Sequence, residues 1–353
     1  MSACGEVRIL IRAVASQGVG AGHVARTWAV AREFIDRGIE VHWACDASTL
    51  PYLEARNVGR TVIHVLASAA TEGRSGEREL PIPDQQRDSI ATIKLAAQLR
   101  ISAVLIDTYL LGAPWQRAIR NQGLHVFAFD DMMDRAVDAD VVVNAAGSAQ
   151  QYRTLAPGAR ALCGLEFAVT SSQPSLPPPP VADGNLLIAF GASDLSNMSA
   201  RVLQALAAAR ADEGGAFEAW VQLGSGAPHR SQVQSQTEGL GWARMLNQQE
   251  AIDASRRRVT IAIGASGVSL YERMRDGIPG VVIPLADNQL RIAEVAATCG
   301  AAMIASSPVH AVTAALELRR SEDRLRFMSA AGRSAVDDRG AQRVADIMLA
   351  CCK

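Results

Sequence analysis

Two periodicities take turns along this chain. Short, nearly unbroken apolar runs at 7–12, 39–45, 61–66, 103–106, 125–129 and 141–143 predict strands. Between several of them lie amphipathic stretches at 24–37, 50–56, 88–100 and 114–122, which predict helices. Such alternation builds βαβ units and a parallel sheet whose strands are buried on both faces. The polar run 68–78 reads as a surface loop. The stretch Ser171-Ser172-Gln173-Pro174-Ser175-Leu176-Pro177-Pro178-Pro179-Pro180 can form neither helix nor central strand, and it predicts a stiff, extended linker. Beyond it the alternation restarts, with strands at 185–190, 217–223, 258–263 and 280–284 and helices at 199–210 and 268–275. The remainder, 290–353, reads as helix apart from a short strand near 302–304. The predicted organisation is one Rossmann-like domain over residues 1–170, a linker over 171–184 and a second Rossmann-like domain over 185–353.

Composition narrows the partners. A chain of 353 residues with 49% hydrophobic content can fill two cores. The formal net charge is −1 with both signs interspersed, so no basic stripe argues for nucleic acid or for an anionic membrane surface. Cys4, Cys45, Cys163, Cys299, Cys351 and Cys352 are scattered without a Cys-x-x-Cys pair, which fits reduced thiols better than zinc or disulfides. No apolar run reaches the ~18 residues of a membrane helix. The expectation is a cytoplasmic protein without an integral membrane segment.

In a parallel sheet, ligands gather at the carboxyl ends of the strands, where helix N-termini present unpaired N–H groups. The first predicted strand runs into Ser16-Gln17-Gly18-Val19-Gly20-Ala21-Gly22-His23. The glycines let backbone amides approach an anion, and His23 falls in the first turn of the following helix as a candidate base. Gly18-Val19-Gly20 begins like a dinucleotide fingerprint, but His23 takes the third glycine position and Asp46 comes late for a ribose contact. A Walker motif is excluded, because no Gly-Lys-Ser/Thr follows. His42, His64 and His125 lie in apolar strand runs and read as packing residues. Asp107-Thr108-Tyr109 and Asp130-Asp131 end later strands on the same rim as His23, where Asp107 and Tyr109 can bind hydroxyls or orient a nucleophile. In the second half, Gly191-Ala192-Ser193-Asp194 and Gly264-Ala265-Ser266-Gly267 repeat the strand, glycine loop and helix. Asp138-Ala139-Asp140 imitates a metal-binding Asp-x-Asp, yet it precedes its strand and so reads as a solvated strand start on the opposite rim. Two such halves suggest an α/β fold of GT-B type, two Rossmann-like domains with parallel sheets facing across a cleft.

Six segments taken in order carry a resemblance over nearly the whole chain. They are Ser16-Gln17 with 19–26, Leu105-Ile106-Asp107-Thr108-Tyr109, Phe129-Asp130-Asp131, Phe190 with 191–194, 264–267 with Tyr271-Glu272-Arg273, and Ala286-Asp287-Asn288-Gln289. Together they resemble the UDP-sugar hydrolases of the pseudaminic acid pathway and their spore-coat polysaccharide relatives, which are similar to the lipid-intermediate glycosyltransferase of peptidoglycan synthesis. The resemblance implies that water displaces UDP from a UDP-linked diacetamido-trideoxyhexose with inversion, without metal or cofactor. It implies that His23 activates the nucleophile and that Gly20, Gly22 and Arg26 lie against the substrate. Gly191, Ser193, Asp194, Gly264, Ser266 and Gly267 would hold the diphosphate, Glu272 the ribose, and Asp287, Asn288 and Gln289 the sugar. Two departures stand out: Gly18 looks inserted, and Thr108 replaces the family's usual histidine. Thr108 is shorter, cannot serve as a base and would leave room for a larger sugar or an acceptor. An inverting UDP-sugar-dependent glycosyltransferase with a small-molecule or carbohydrate acceptor is therefore the alternative. A catalytically silent sugar-nucleotide-binding protein is a third reading, against which His23 argues.

Overall fold

The computed structural model describes residues 7–16, 21–56, 58–59, 61–66, 79–170, 184–210, 217–246 and 259–352. Gly18, Gly20, the expected loop 68–78 and linker residues 171–183 lie outside the described residues. Contacts divide the chain into two compact units, Met1–Ser172 with Arg339–Lys353, and Gln173–Asp338.

The first unit is built on a seven-stranded parallel sheet. Central β1 (Arg8–Ala13) pairs on one side with β2 (Glu40–Cys45), which pairs with the edge strand β3 (Val62–Val65). On its other side β1 pairs with β4 (Ala103–Asp107), followed by β5 (His125–Phe129), β6 (Val141–Asn144) and β7 (Arg160–Cys163). Successive side chains of β1 enter opposite cores, as the period of two requires. Ile9 and Ile11 join Val24, Val30 and Phe34 of helix α1 (Gly22–Asp36), while Leu10 joins Trp115 and Ile119 on the other face.

The terminal helix Gly340–Cys351 corrects the expected domain boundary. Its Ala341, Val344, Ala345 and Met348 lie in the same core as Val30 and Phe34 of α1, so the expected second domain does not extend to residue 353. Its first residue must be glycine, since a Cβ on Gly340 would lie 2.0 Å from the carbonyl oxygen of Ala168.

The second unit repeats the plan with six parallel strands. Central β8 (Asn185–Ala189) pairs with β9 (Ala219–Gln222), which carries β10 (Ala243–Leu246). On the other side come β11 (Val259–Gly264), β12 (Gly280–Val282) and β13 (Ala302–Ile304). The strand order therefore reverses between β1 and β4 in one unit and between β8 and β11 in the other. In open parallel sheets such switch points are where ligands bind, outside the carboxyl ends of the strands. β7, β10 and the helix Ala149–Leu155 are not predicted by the apolar pattern, because the two strands are short and mostly half-exposed.

Candidate active site

The first switch point assembles one polar cluster. α1 starts at Gly22, so His23 sits in its first turn and Arg26 follows three residues later on the same face. β4 ends at Asp107, which is fully buried, and β5 ends at Phe129, after which come Asp130 and Asp131. Arg26 lies between these strand ends. Its Nε donates to Asp107 Oδ2 at 2.6 Å and its Nη2 to Asp107 Oδ1 at 2.7 Å, while Nη1 donates to Asp131 Oδ2 at 2.7 Å. The guanidinium also stacks 4.5 Å from the centre of the Phe129 ring. Tyr109 donates its hydroxyl proton to the same Asp131 oxygen at 2.8 Å and meets the His23 ring edge-on, with centroids 4.8 Å apart.

His23 completes the cluster. Its Nδ1 is buried without a hydrogen-bond partner, 3.7 Å from Asp107 Oδ1. Proximity to a carboxylate alone would raise the imidazole pKa, yet burial outweighs it and pushes the pKa below the ordinary 6.5. The geometry agrees, since both Asp107 oxygens already accept from Arg26. Burial works against the charge on Arg26 as well, but Asp107 and Asp131 hold its pKa well above the usual value. Asp131, despite burial, is held below the usual carboxylate range by Arg26 and by the Tyr109 hydroxyl.

Sequence-predicted residues fall into place unevenly. His23, Asp107 and Tyr109 come together with Arg26, which is 5% exposed and donates from each guanidinium nitrogen to Asp107 or Asp131. Thr108 is also buried, and its hydroxyl accepts from the Leu110 N–H in a tight turn. The sequence presents Asp131 only within Phe129-Asp130-Asp131, where nothing says which carboxylate faces the cluster. Asp130 turns instead to Tyr152 and to the N–H groups of Met132 and Met133. Asp138 and Asp140 are held by Arg117 and Arg120 and by the Val126 N–H, as a strand start would be.

At the second switch point the glycine loops separate into structural and open positions. A Cβ on Gly264 would lie 2.2 Å from the Ala189 carbonyl oxygen, so this glycine permits close strand approach. Gly191 has φ +92°, a left-handed turn that glycine adopts without strain. Asp194 accepts from Met198 N–H and Ser199 N–H at 2.8 Å each, and thereby caps the helix Met198–Arg210. Both its oxygens serve that helix. Gly267 instead opens helix Val268–Arg275 with no side-chain cap, and Ala286 opens Asp287–Thr298 in the same way. The buried Ser266 hydroxyl donates to the Gln289 carbonyl at 2.9 Å and ties these two helix starts together. The Gln289 side chain accepts from Leu285 N–H at 3.1 Å, Asp287 is exposed, and Asn288 and Glu272 are half-buried.

Arg273 lies beside the second glycine loop. It is buried, its Nη2 donates to the Ala265 carbonyl at 2.7 Å and its Nη1 reaches Ser269 Oγ at 3.3 Å, while Nε has no partner. A cation thus lies behind the positive end of its own helix, an arrangement that favours an anion there. Among the described residues no group of acidic, histidine or cysteine side chains is arranged to hold a metal, and no helix is long and apolar enough to cross a membrane.

No family model matches the chain. The spore coat polysaccharide biosynthesis protein SpsG of Bacillus subtilis (strain 168) is 29% identical over 119 residues, which spans 34% of either chain. Among solved structures, MurG of Acinetobacter baumannii matches with a TM-score of 0.67 at 18% identity, covering 98% of this chain and 99% of that one. The fold is GT-B. A putative UDP-N-acetylglucosamine 2-epimerase from Listeria monocytogenes matches at 0.67 with 12% identity, covering 98% and 97%. The glycotransferase of kitacinnamycin matches at 0.65 with 16% identity, covering 99% and 100%.

Proposed function

We propose that the protein is a metal-independent, inverting glycosyltransferase that uses a UDP-sugar and delivers the sugar to a hydroxyl of a small-molecule or carbohydrate acceptor. The observation that carries this reading is the buried imidazole of His23 beside a cluster in which one guanidinium faces two carboxylates. The cluster carries a net negative charge while His23 is neutral and becomes balanced when His23 takes a proton. His23 would accept the acceptor's O–H proton as that oxygen bonds to the anomeric carbon. The bond from that carbon to the diphosphate oxygen would break with its electron pair leaving on UDP. The uncapped helix starts at Gly267 and Ala286, with Arg273 behind the first, would hold the diphosphate charge without a metal. Glu272 would bind the ribose hydroxyls.

Likeness along the full chain to a glycotransferase supports transfer, whereas the spore-coat relative matches a third of the chain. Hydrolysis, which the motif resemblance implies, is the same displacement with water as acceptor. The test is to incubate the purified protein with a panel of UDP-sugars, with and without an alcohol and carbohydrate acceptor library, and to follow UDP release and anomers by NMR. UDP release that depends on an acceptor is the expected result. Free sugar released in water would make the protein a hydrolase, a changed sugar still bound to UDP would make it an epimerase, and no turnover would leave a binding protein.

A further inference from the structure

A buried arginine needs one carboxylate to balance its charge, and Arg26 has two. Asp107 is gripped at both oxygens, Asp131 at one, and the remaining negative charge faces His23, whose Nδ1 lies 3.7 Å from Asp107 Oδ1. The angular demand of the guanidinium fork decides this geometry, because both Asp107 oxygens must lie in its plane. We propose that Arg26 is a positioning residue whose two-point grip on Asp107 offsets that carboxylate's charge beside His23, so that the imidazole stays neutral and able to accept a proton. This inference rests on the reading of His23 as the base.

Among the described residues, the charged and titratable groups facing His23 are Arg26 on α1, Asp107 at the end of β4, Tyr109 in the turn that follows, and Asp131 after β5. Asp130 is turned away to Tyr152. Arg26 and the two carboxylates therefore pull His23 in opposite directions. Arg26 disfavours the imidazolium, and Asp107 and Asp131 favour it, while burial lowers the pKa further. A purely structural clamp would affect folding without moving the titration of His23.

The experiment is an NMR titration of the His23 ring in the substrate-free protein, assigned by the signal lost in His23→Asn. In Arg26→Gln both carboxylates face the imidazole uncompensated, and the midpoint is expected to rise by roughly 1 pH unit or more. In Asp131→Asn the Asp107 clamp persists with one negative charge fewer, and the midpoint is expected to fall. Arg26→Lys keeps the charge without the fork, so it should restore only part of the wild-type value. Because Arg26→Gln removes a buried charge and can fail to fold, Asp131→Asn and Arg26→Lys provide the independent tests. An unmoved midpoint in every folded variant would overturn the proposal. If midpoints move as expected but the acidic limb of kcat/KM does not follow them, the clamp stands and the reading of His23 as base fails.

Discussion

Replacing Arg273 with methionine separates stability from ligand binding, because the two should move in opposite directions. Burial holds the Arg273 pKa at about 10 against the ordinary 12.5, which corresponds to a cost on the order of 3 kcal/mol in the unliganded fold. The folded state binds this proton more weakly than the unfolded chain. The cost is therefore fully present below pH ~10 and is relieved only as pH rises from there towards 12.5. Methionine removes the cost but also the charge-assisted bond to the Ala265 carbonyl, worth ~1.5–3 kcal/mol, and the Ser269 contact, which at 3.3 Å adds little. Unliganded Arg273→Met should thus be as stable as the wild type, or more stable by about 1 kcal/mol, in urea unfolding at pH 7. A buried arginine that served only to neutralise a carboxylate would instead cost ~3–5 kcal/mol on removal. UDP affinity should fall by roughly 10- to 100-fold in calorimetry, the loss of one charge-assisted contribution of about 1.5–3 kcal/mol. Wild-type UDP affinity, or destabilisation by several kcal/mol without ligand, would refute the assignment of Arg273 to the anion site.

His23→Ala should slow single-turnover chemistry by roughly 10²–10⁴ while leaving UDP affinity unchanged, measured at matched folded fraction. Because the His23 pKa lies below 6.5, wild-type kcat/KM should hold at pH 7 and fall only as acid protonates the imidazole below that value, which a pH–rate profile would show. Asp194→Ala should lower the unfolding midpoint through a lost helix cap worth ~0.5–2 kcal/mol and leave the UDP Kd near wild type in calorimetry. Glu272→Ala should weaken UDP binding by ~1.5–3 kcal/mol, and an unchanged calorimetric affinity would remove Glu272 from the ribose. Treatment with a metal chelator should leave turnover intact, whereas loss of activity restored by magnesium would contradict a diphosphate site built from helix starts and Arg273.

Strand ends were legible in the sequence because apolar runs stop abruptly at polar residues, as at Ile106-Asp107 and Phe129-Asp130. The strand order of each sheet then brings the first loop beside the fourth strand, which is why His23 and Asp107 meet. Pattern could not reveal how polar groups divide among themselves. Whether Arg26 reaches a ligand or a neighbour, and which of Asp130 and Asp131 joins it, depends on loop geometry that periodicity does not encode. Glycine was ambiguous for the same reason: Gly264 makes room for the Ala189 carbonyl, while Gly267, three residues later, opens a helix. The amphipathic stripe of Gly340–Cys351 marked a buried face without naming its core, so sequence proximity suggested the wrong unit.

That last helix has a consequence for how the protein is made. Ribosomes extend chains at roughly 5–20 residues per second, so about 10–30 s pass between synthesis of Ser172 and of the helix that completes the same core. During that interval Val30 and Phe34 lack Val344 and Met348, the partners that will cover them. The second unit, contiguous in sequence, can close while the first still waits for its final piece. A nascent chain stalled before Arg339 should accordingly engage chaperones through its earliest residues, although these left the ribosome first.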